Sequence, residues 1–205
     1  FAQRGLTAED PLRYALGAGN FSFGGEPLVS RLFRTIRGEL GWTYAINSGY
    51  GSMGSLSYQP GLYTIASTPS VEFTAKTLFK TLSSWQDYLR RGLKKSELVL
   101  AQESLINSYP FEFESASKRL ARRVHSSFYG VPLLSQEEYK KTIDKLGNRS
   151  LKKALKERHT SKGWLIALVA DKNVVAAQLA EEQKGIPPEN QLKISKVISP
   201  DDLIK

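Results

Sequence analysis

The segment Arg37-Gly38-Glu39-Leu40-Gly41-Trp42-Thr43-Tyr44 holds the most suggestive pairing of polar side chains in this 205-residue chain. Arg37 falls in the last turn of an expected helix and Tyr44 at the start of an expected strand. Gly41 lies between them and permits a tight turn. A guanidinium and a phenol held side by side are two fixed donors, one of them cationic. Such a pair can hold a peptide carbonyl or stabilise a developing oxyanion. Strand alternation puts Tyr44, Ile46, Ser48 and Tyr50 on one face. Spacing alone favours a simpler account, in which Arg37 neutralises its helix end and Tyr44 packs on the sheet.

Other chemistries lack their residues. With no Cys, disulfide frameworks, thiolate zinc sites, iron–sulfur ligation and cysteine nucleophiles are excluded. The two histidines, His125 and His159, stand apart, and neither His-x-x-Glu-His nor His-Glu-x-x-His occurs. His125 reads as a partly buried structural residue on a helix, and His159 as an imidazolium at a helix C-terminus. No metal-ligand set is expected in this chain. Gly17-x-Gly19 and Gly24-Gly25 match neither the dinucleotide nor the P-loop spacing. They either permit close packing between helices or leave a backbone edge that a peptide can approach. The Gly51-Ser52-Met53-Gly54-Ser55 stretch is not a nucleophile elbow and reads as a loop.

The elements that must position these residues come from a chain that can bury one core, 40% hydrophobic and 24% charged. Phe1–Leu6 reads as the end of a strand truncated at Phe1. A helix capped by Asp10 runs toward Phe23 and ends at Gly24-Gly25; a second follows Glu26-Pro27 to about Arg37. Thr43–Ser52 and Leu62–Thr68 form a hairpin with a long loop. The clearest helix runs from Ser70 to Gly92, with Val71, Ala75, Leu78, Leu82, Trp85 and Leu89 in one stripe. Helices follow over Ser96–Ser108, Glu114–Tyr129, Ser135–Leu146, Ser150–His159 and Val174–Glu182. In the second of these, Leu120, Val124 and Phe128 are expected inward; the third opens on a Ser135/Glu138 capping box. Trp164–Ala170 reads as a buried strand and Leu192–Ile198 as a last strand. The order predicts an α+β fold, a mostly antiparallel sheet with helices on one face, as a single domain over residues 1–205.

The net charge is +9, and Lys140–Lys162 carries nine basic residues against two acidic ones. That stretch reads as a solvated helix face, and no nucleic-acid partner is expected from it, although a basic nucleic-acid surface is the less favoured alternative. No apolar run is long enough to span a membrane. The lack of Cys is compatible with cytoplasm or periplasm.

Gly24-Gly25, Ser30-Arg31-Leu32-Phe33, Arg37, Gly41 and Tyr44 together resemble the signature of the second homologous domain of pitrilysin-like zinc metallopeptidases. The resemblance continues in order through the Tyr44–Ser67 hairpin, the Ser70–Gly92 helix, Lys94-Lys95-Ser96-Glu97-Leu98, Gly130-Val131-Pro132-Leu133 and the strand near Trp164–Asp171. In that family the first domain carries the zinc, and the second lacks it and closes over the peptide. The resemblance implies that Arg37 and Tyr44 bind the peptide and support the transition state. It also implies that Gly24, Gly25, Ser30 and Arg31 shape the substrate-binding region. The expected partners are a zinc-bearing homologous domain or subunit and a peptide substrate, with this half inert alone. A non-proteolytic peptide-binding or assembly module of the same fold is the alternative. Trp42 and Leu40 depart from the family pattern, where a smaller aliphatic and a charged residue are usual.

Overall fold

The computed structural model describes residues 1–51, 60–188 and 191–199. Three strands form an antiparallel sheet in the order β1-β3-β2, with β1 at Ala2–Arg4, β2 at Thr43–Tyr50 and β3 at Leu62–Pro69. The register pairs Gln3 with Tyr63 and Ser48 with Ile65. Ile46, Ser48, Tyr63 and Ile65 are buried, whereas Asn47, Leu62 and Ala66 are exposed, so helices cover one face only. Residues 52–59, which include Ser52-Met53-Gly54-Ser55 of the expected loop, lie outside the described residues.

Helix α1 (Arg13–Asn20) starts after a turn in which Asp10 Oδ1 accepts from the Leu12 amide at 2.9 Å. It continues into wide π-type turns over Phe21–Gly25, and a second such segment covers Phe33–Glu39. Helix α2 (Thr74–Arg91) follows a short 3₁₀ turn at Val71–Phe73 and ends at Gly92, whose φ of +71° is the left-handed stop. Next come α3 (Lys95–Ser108), α4 (Ala116–Tyr129), α5 (Gln136–Asp144), α6 (Asn148–Arg158) and α7 (Lys172–Glu182). The expected capping box at Ser135 and Glu138 opens α5, with amide-to-side-chain bonds of 3.2 and 2.8 Å. Asp171 caps α7 by accepting from Asn173 and Val174 amides.

The core gathers Leu16 and Phe23 from α1 and its extension, Leu32, Ile36, Ile46, Tyr63, Ile65, Trp85, Tyr88, Leu151 and Leu155. Phe23 stacks on Tyr88 with centroids 4.3 Å apart, and Trp85 meets Tyr63 at 5.2 Å. A smaller cluster of Ala75, Val175 and Leu179 joins α7 to α2.

Several expectations need correction. Trp164–Ala170 is not a buried strand: only Leu165 pairs, with Ala2, and Leu165, Leu168 and Val169 are exposed. Three residues of β1 offer too short an edge to order the whole run. Leu192–Ile198 is likewise not a strand, and Ile194, Val197 and Ile198 are exposed. No residue of α4 is buried, so Leu120, Val124 and Phe128 do not face inward. His125, on that helix, is exposed, and its ring contacts Tyr129 at 4.6 Å.

Candidate functional site

The Arg37–Tyr44 segment is a closed loop. The Trp42 amide donates to the Ile36 carbonyl at 3.1 Å, so the chain leaves and returns at one place. Arg37 follows the acceptor directly, and Tyr44 lies two residues past the donor. Gly41 takes a φ of +66° within the loop, a conformation that costs other residues roughly 1 kcal/mol or more. Trp42 anchors the loop by stacking on Phe73, 5.8 Å away and nearly parallel, while its carbonyl accepts from the Ser70 amide at 3.0 Å. The aromatic that breaks the family pattern thus pins the loop to the start of α2.

Tyr44 does not share a face with Ile46 and Ser48. Thr43 pairs with Pro69 and Ile46 with Ser67, so β2 uses one more residue than β3 between the two pairs. This β-bulge shifts the alternation by one position: Thr43, Ile46 and Ser48 are buried, and Tyr44 is 83% exposed. Side chains stabilise the bulge. Thr43 Oγ1 donates to the Ala45 carbonyl at 2.8 Å and lies 2.9 Å from Ser67 Oγ, while the Ala45 amide donates to Thr68 Oγ1 at 3.2 Å. Arg37 is also exposed, and neither it nor Tyr44 has a hydrogen-bond or ion-pair partner among the described residues. Both donors are therefore available at the ends of one loop.

Gly24, Gly25, Ser30 and Arg31 act behind this surface. Gly24 is buried, and a Cβ there would run into Ser48 Oγ and approach Leu32 Cδ1 at 2.9 Å. A Cβ at Gly25 would come within 2.6 Å of Asn20 Nδ2. Neither has a positive φ, so close packing explains the pair, Gly24 against Ser48 of β2 and Gly25 against Asn20 of α1. Gly25 also lines a shallow cleft of about 240 Å³ between α1, α3 and α5, beside Gly17, Tyr14 and Tyr139. Ser30 is fully buried. Arg31 forks onto Glu97, with Nε–Oε1 at 3.1 Å and Nη2–Oε2 at 2.6 Å, and also donates to the Gly92 carbonyl at 2.9 Å. Burial would raise the Glu97 carboxyl, but the Arg31 guanidinium, the Lys94 amide and Arg34 together hold it below the usual carboxylate range. Ser30 and Arg31 therefore do not face out of the surface: Ser30 is enclosed and Arg31 is held by Glu97.

Two polar networks had no sequence signal, because each joins residues far apart in the chain. Asn20 Nδ2 donates to the Ser48 carbonyl, and its Oδ1 accepts from Ser48 Oγ and Tyr63 Oη. His159 is buried beside Tyr50, Tyr63 and Trp85, with Nε2 2.7 Å from Tyr50 Oη. Its Nδ1 is buried without a hydrogen-bond partner, and burial pushes the imidazole down to about 4. His159 is therefore neutral, not an imidazolium at a helix end. Leu28 was also unforeseen: it sits exposed in a tight turn at φ +70°, where a branched side chain is strained.

A resident zinc does not fit these donors. Among the described residues no three His, Cys, Asp or Glu side chains converge, His125 lies on the outer surface of α4, and His159 is enclosed by aromatic rings. The Lys140–Lys162 stretch spans α5, α6 and the residues beyond, with Leu151, Ala154 and Leu155 buried while Arg149, Lys153 and Lys156 stay exposed.

The chain thus presents an exposed Arg–Tyr pair at one loop of an antiparallel sheet that helices cover on one face. A family model of the peptidase M16 inactive domain matches residues 1–105, just over half of the chain, and the chain belongs to that family. The chain is similar to a peptidase M16 inactive domain from Pseudomonas fluorescens at 25% identity and a TM-score of 0.70, covering 78% of this chain and 37% of that one. It shares its fold with a protease from Helicobacter pylori (13% identity, TM-score 0.65, 76% of this chain and 37% of that one). A periplasmic protease from Escherichia coli gives 17% identity and a TM-score of 0.61, over 78% of this chain and 18% of that one. This chain therefore spans well under half the length of these relatives. No curated protein matches it.

Proposed function

We propose that this chain is the substrate-binding half of a zinc-dependent endopeptidase, inert alone and completed by a homologous half that holds the metal. The observation that supports it best is the pair Arg37 and Tyr44, both exposed, unpaired and fixed at the two ends of one short loop. Arg37 supplies a permanent positive charge and Tyr44 a phenol donor. Together they hold a peptide carbonyl and stabilise the negative charge that develops on its oxygen. Arg31, Ser30 and the Gly24-Gly25 turn keep that loop's supporting wall in place. A zinc held by the homologous half would supply the activated water, and this chain's part is to bind and orient the peptide.

The test is reconstitution with a zinc-bearing M16 half and an unstructured peptide. Arg37→Ala and Tyr44→Phe are each expected to lower kcat/KM by roughly a hundredfold to a thousandfold, the range for removing one transition-state donor, with the zinc content unchanged. Unchanged kcat/KM in both variants refutes the assignment. The family's description as an inactive domain favours a second reading, an assembly module without a catalytic role. That reading expects no gain in peptidase activity when the halves combine.

A further inference from the structure

Helix α4 is seated on the protein by its polar side. Arg122 ion-pairs with Glu112, and its guanidinium lies 5.9 Å from the Tyr109 ring and 5.7 Å from the Phe113 ring. Ser126 Oγ donates to the Val131 carbonyl at 2.7 Å. Arg122 and Ser126 each fall two positions from neighbouring members of the Leu120, Val124, Phe128 row. On a helix with 3.6 residues per turn, that is the far side. The apolar row therefore points away from the protein, with Leu120, Val124 and Phe128 exposed by 64%, 58% and 67%. Phe111, in the turn before the helix, is exposed as well.

The charges beside the row have one sign. Within α4 stand Lys118, Arg119, Arg122 and Arg123, with no acidic residue. Arg119 and Arg123, four apart, follow one flank of the row, whereas Lys118, in step with Arg122 and Ser126, lies on the docked side. Lys118 pairs with Glu114 at 2.6 Å and donates to the Phe111 carbonyl at 3.1 Å, so it serves the helix start. Arg119 reaches the Phe113 carbonyl at 2.9 Å and keeps its charge, and Arg123 has no partner among the described residues.

We propose that α4 is an interfacial helix that lays this protein on an anionic phospholipid surface. The apolar row enters the acyl boundary, and Arg119 and Arg123 meet the headgroup phosphates. This stands independently of the peptidase reading. A second copy is a poor occupant, because facing helices would bring their arginine flanks together on chains that each carry +9. A protein groove is poorly matched in size. A single row on a 14-residue helix offers far less than the ~800 Å² per partner of a standard interface. A bilayer needs neither a large patch nor a shaped complement, only an apolar face with cations beside it.

The experiment is co-sedimentation of the full chain with phosphatidylcholine vesicles and with vesicles that also contain phosphatidylglycerol. Partition onto the anionic vesicles is expected to exceed that onto the neutral ones by roughly tenfold or more, and to fall as salt is added. Leu120→Gln with Phe128→Gln is expected to lower binding to anionic vesicles by roughly tenfold, with an unchanged thermal melt because both side chains are exposed. Arg119→Gln with Arg123→Gln is expected to erase most of the preference for anionic lipid. Equal binding to both vesicle types overturns the proposal, as does wild-type binding by the Leu120/Phe128 variant. Absence of vesicle binding, with self-association that the same variant abolishes, overturns it in favour of a second copy.

Discussion

Acidification should weaken this fold through His159 before it reaches the carboxylates. The imidazole is enclosed by the Tyr50, Tyr63 and Trp85 rings, its Nε2 engaged by Tyr50 and its Nδ1 without a partner. Nothing beside it favours a cation, so the folded-state value falls to about 4, against 6.5 for a free histidine. The unfolded chain therefore binds the proton more readily, and stability falls as pH drops below the unfolded value. At 1.36 kcal/mol per pH unit, the loss relative to pH 8 is about 2 kcal/mol by pH 5. It reaches about 3 kcal/mol at pH 4 and levels off below that. Urea unfolding of the wild type and His159→Gln across pH 8 to 5 isolates the contribution, because the substituted side chain does not titrate. The difference between the two free-energy curves should close by about 2 kcal/mol over that interval. Parallel curves refute the reasoning, since they would mean that His159 gains its proton equally well in the fold.

Other outcomes follow from the same geometry. Arg31→Ala leaves the Glu97 carboxylate buried without its fork and should cost about 3–5 kcal/mol in chemical denaturation. Because the Glu97 carboxyl is held below its unfolded value, its contribution is present above that value and is lost as pH falls through the folded one. Gly19→Ala brings a methyl onto the Tyr88 hydroxyl and Leu151 Cδ1 and should cost about 1–3 kcal/mol. Gly17→Ala, in the same helix but with open space at that point, should instead raise stability by up to about 1 kcal/mol, and paired thermal melts check both. Thr68→Val removes the acceptor for the Ala45 amide and should lower kcat/KM of the reconstituted enzyme in the direction of Tyr44→Phe, with Thr68→Ser restoring it.

Periodicity was enough for the helices and the hairpin. The apolar spacing of Ala75, Leu78 and Trp85 and the Ser135/Glu138 box are local signals, and local physics satisfied both, whereas Val71 at the head of the same row is exposed in the 3₁₀ turn before α2. The Trp164–Ala170 run misled because composition reports what a segment could bury and not whether a neighbouring strand is long enough to pair with it. Leu120, Val124 and Phe128 form a true helical stripe, yet Arg122 docks the opposite side through Tyr109 and Phe113. His159 was misread for a similar reason: its helix-terminal position is visible in sequence, but the rings around it come from β2, β3 and α2. Of the site, Arg37, Gly41 and Tyr44 were legible as a unit. The direction in which Tyr44 points was not, since an extra residue in a strand has no signature in its own sequence.

That extra residue makes the loop sensitive to length rather than to composition. Ala45 contributes little through its side chain, and many residues could stand there. Removing it would bring β2 back into step with β3, set Tyr44 directly before Ile46 and so keep it on the outer face, one residue closer along the chain to the strand's buried positions. Homologous segments that lack it, aligned without a gap at this point, would therefore match inward positions of one strand with outward positions of the other.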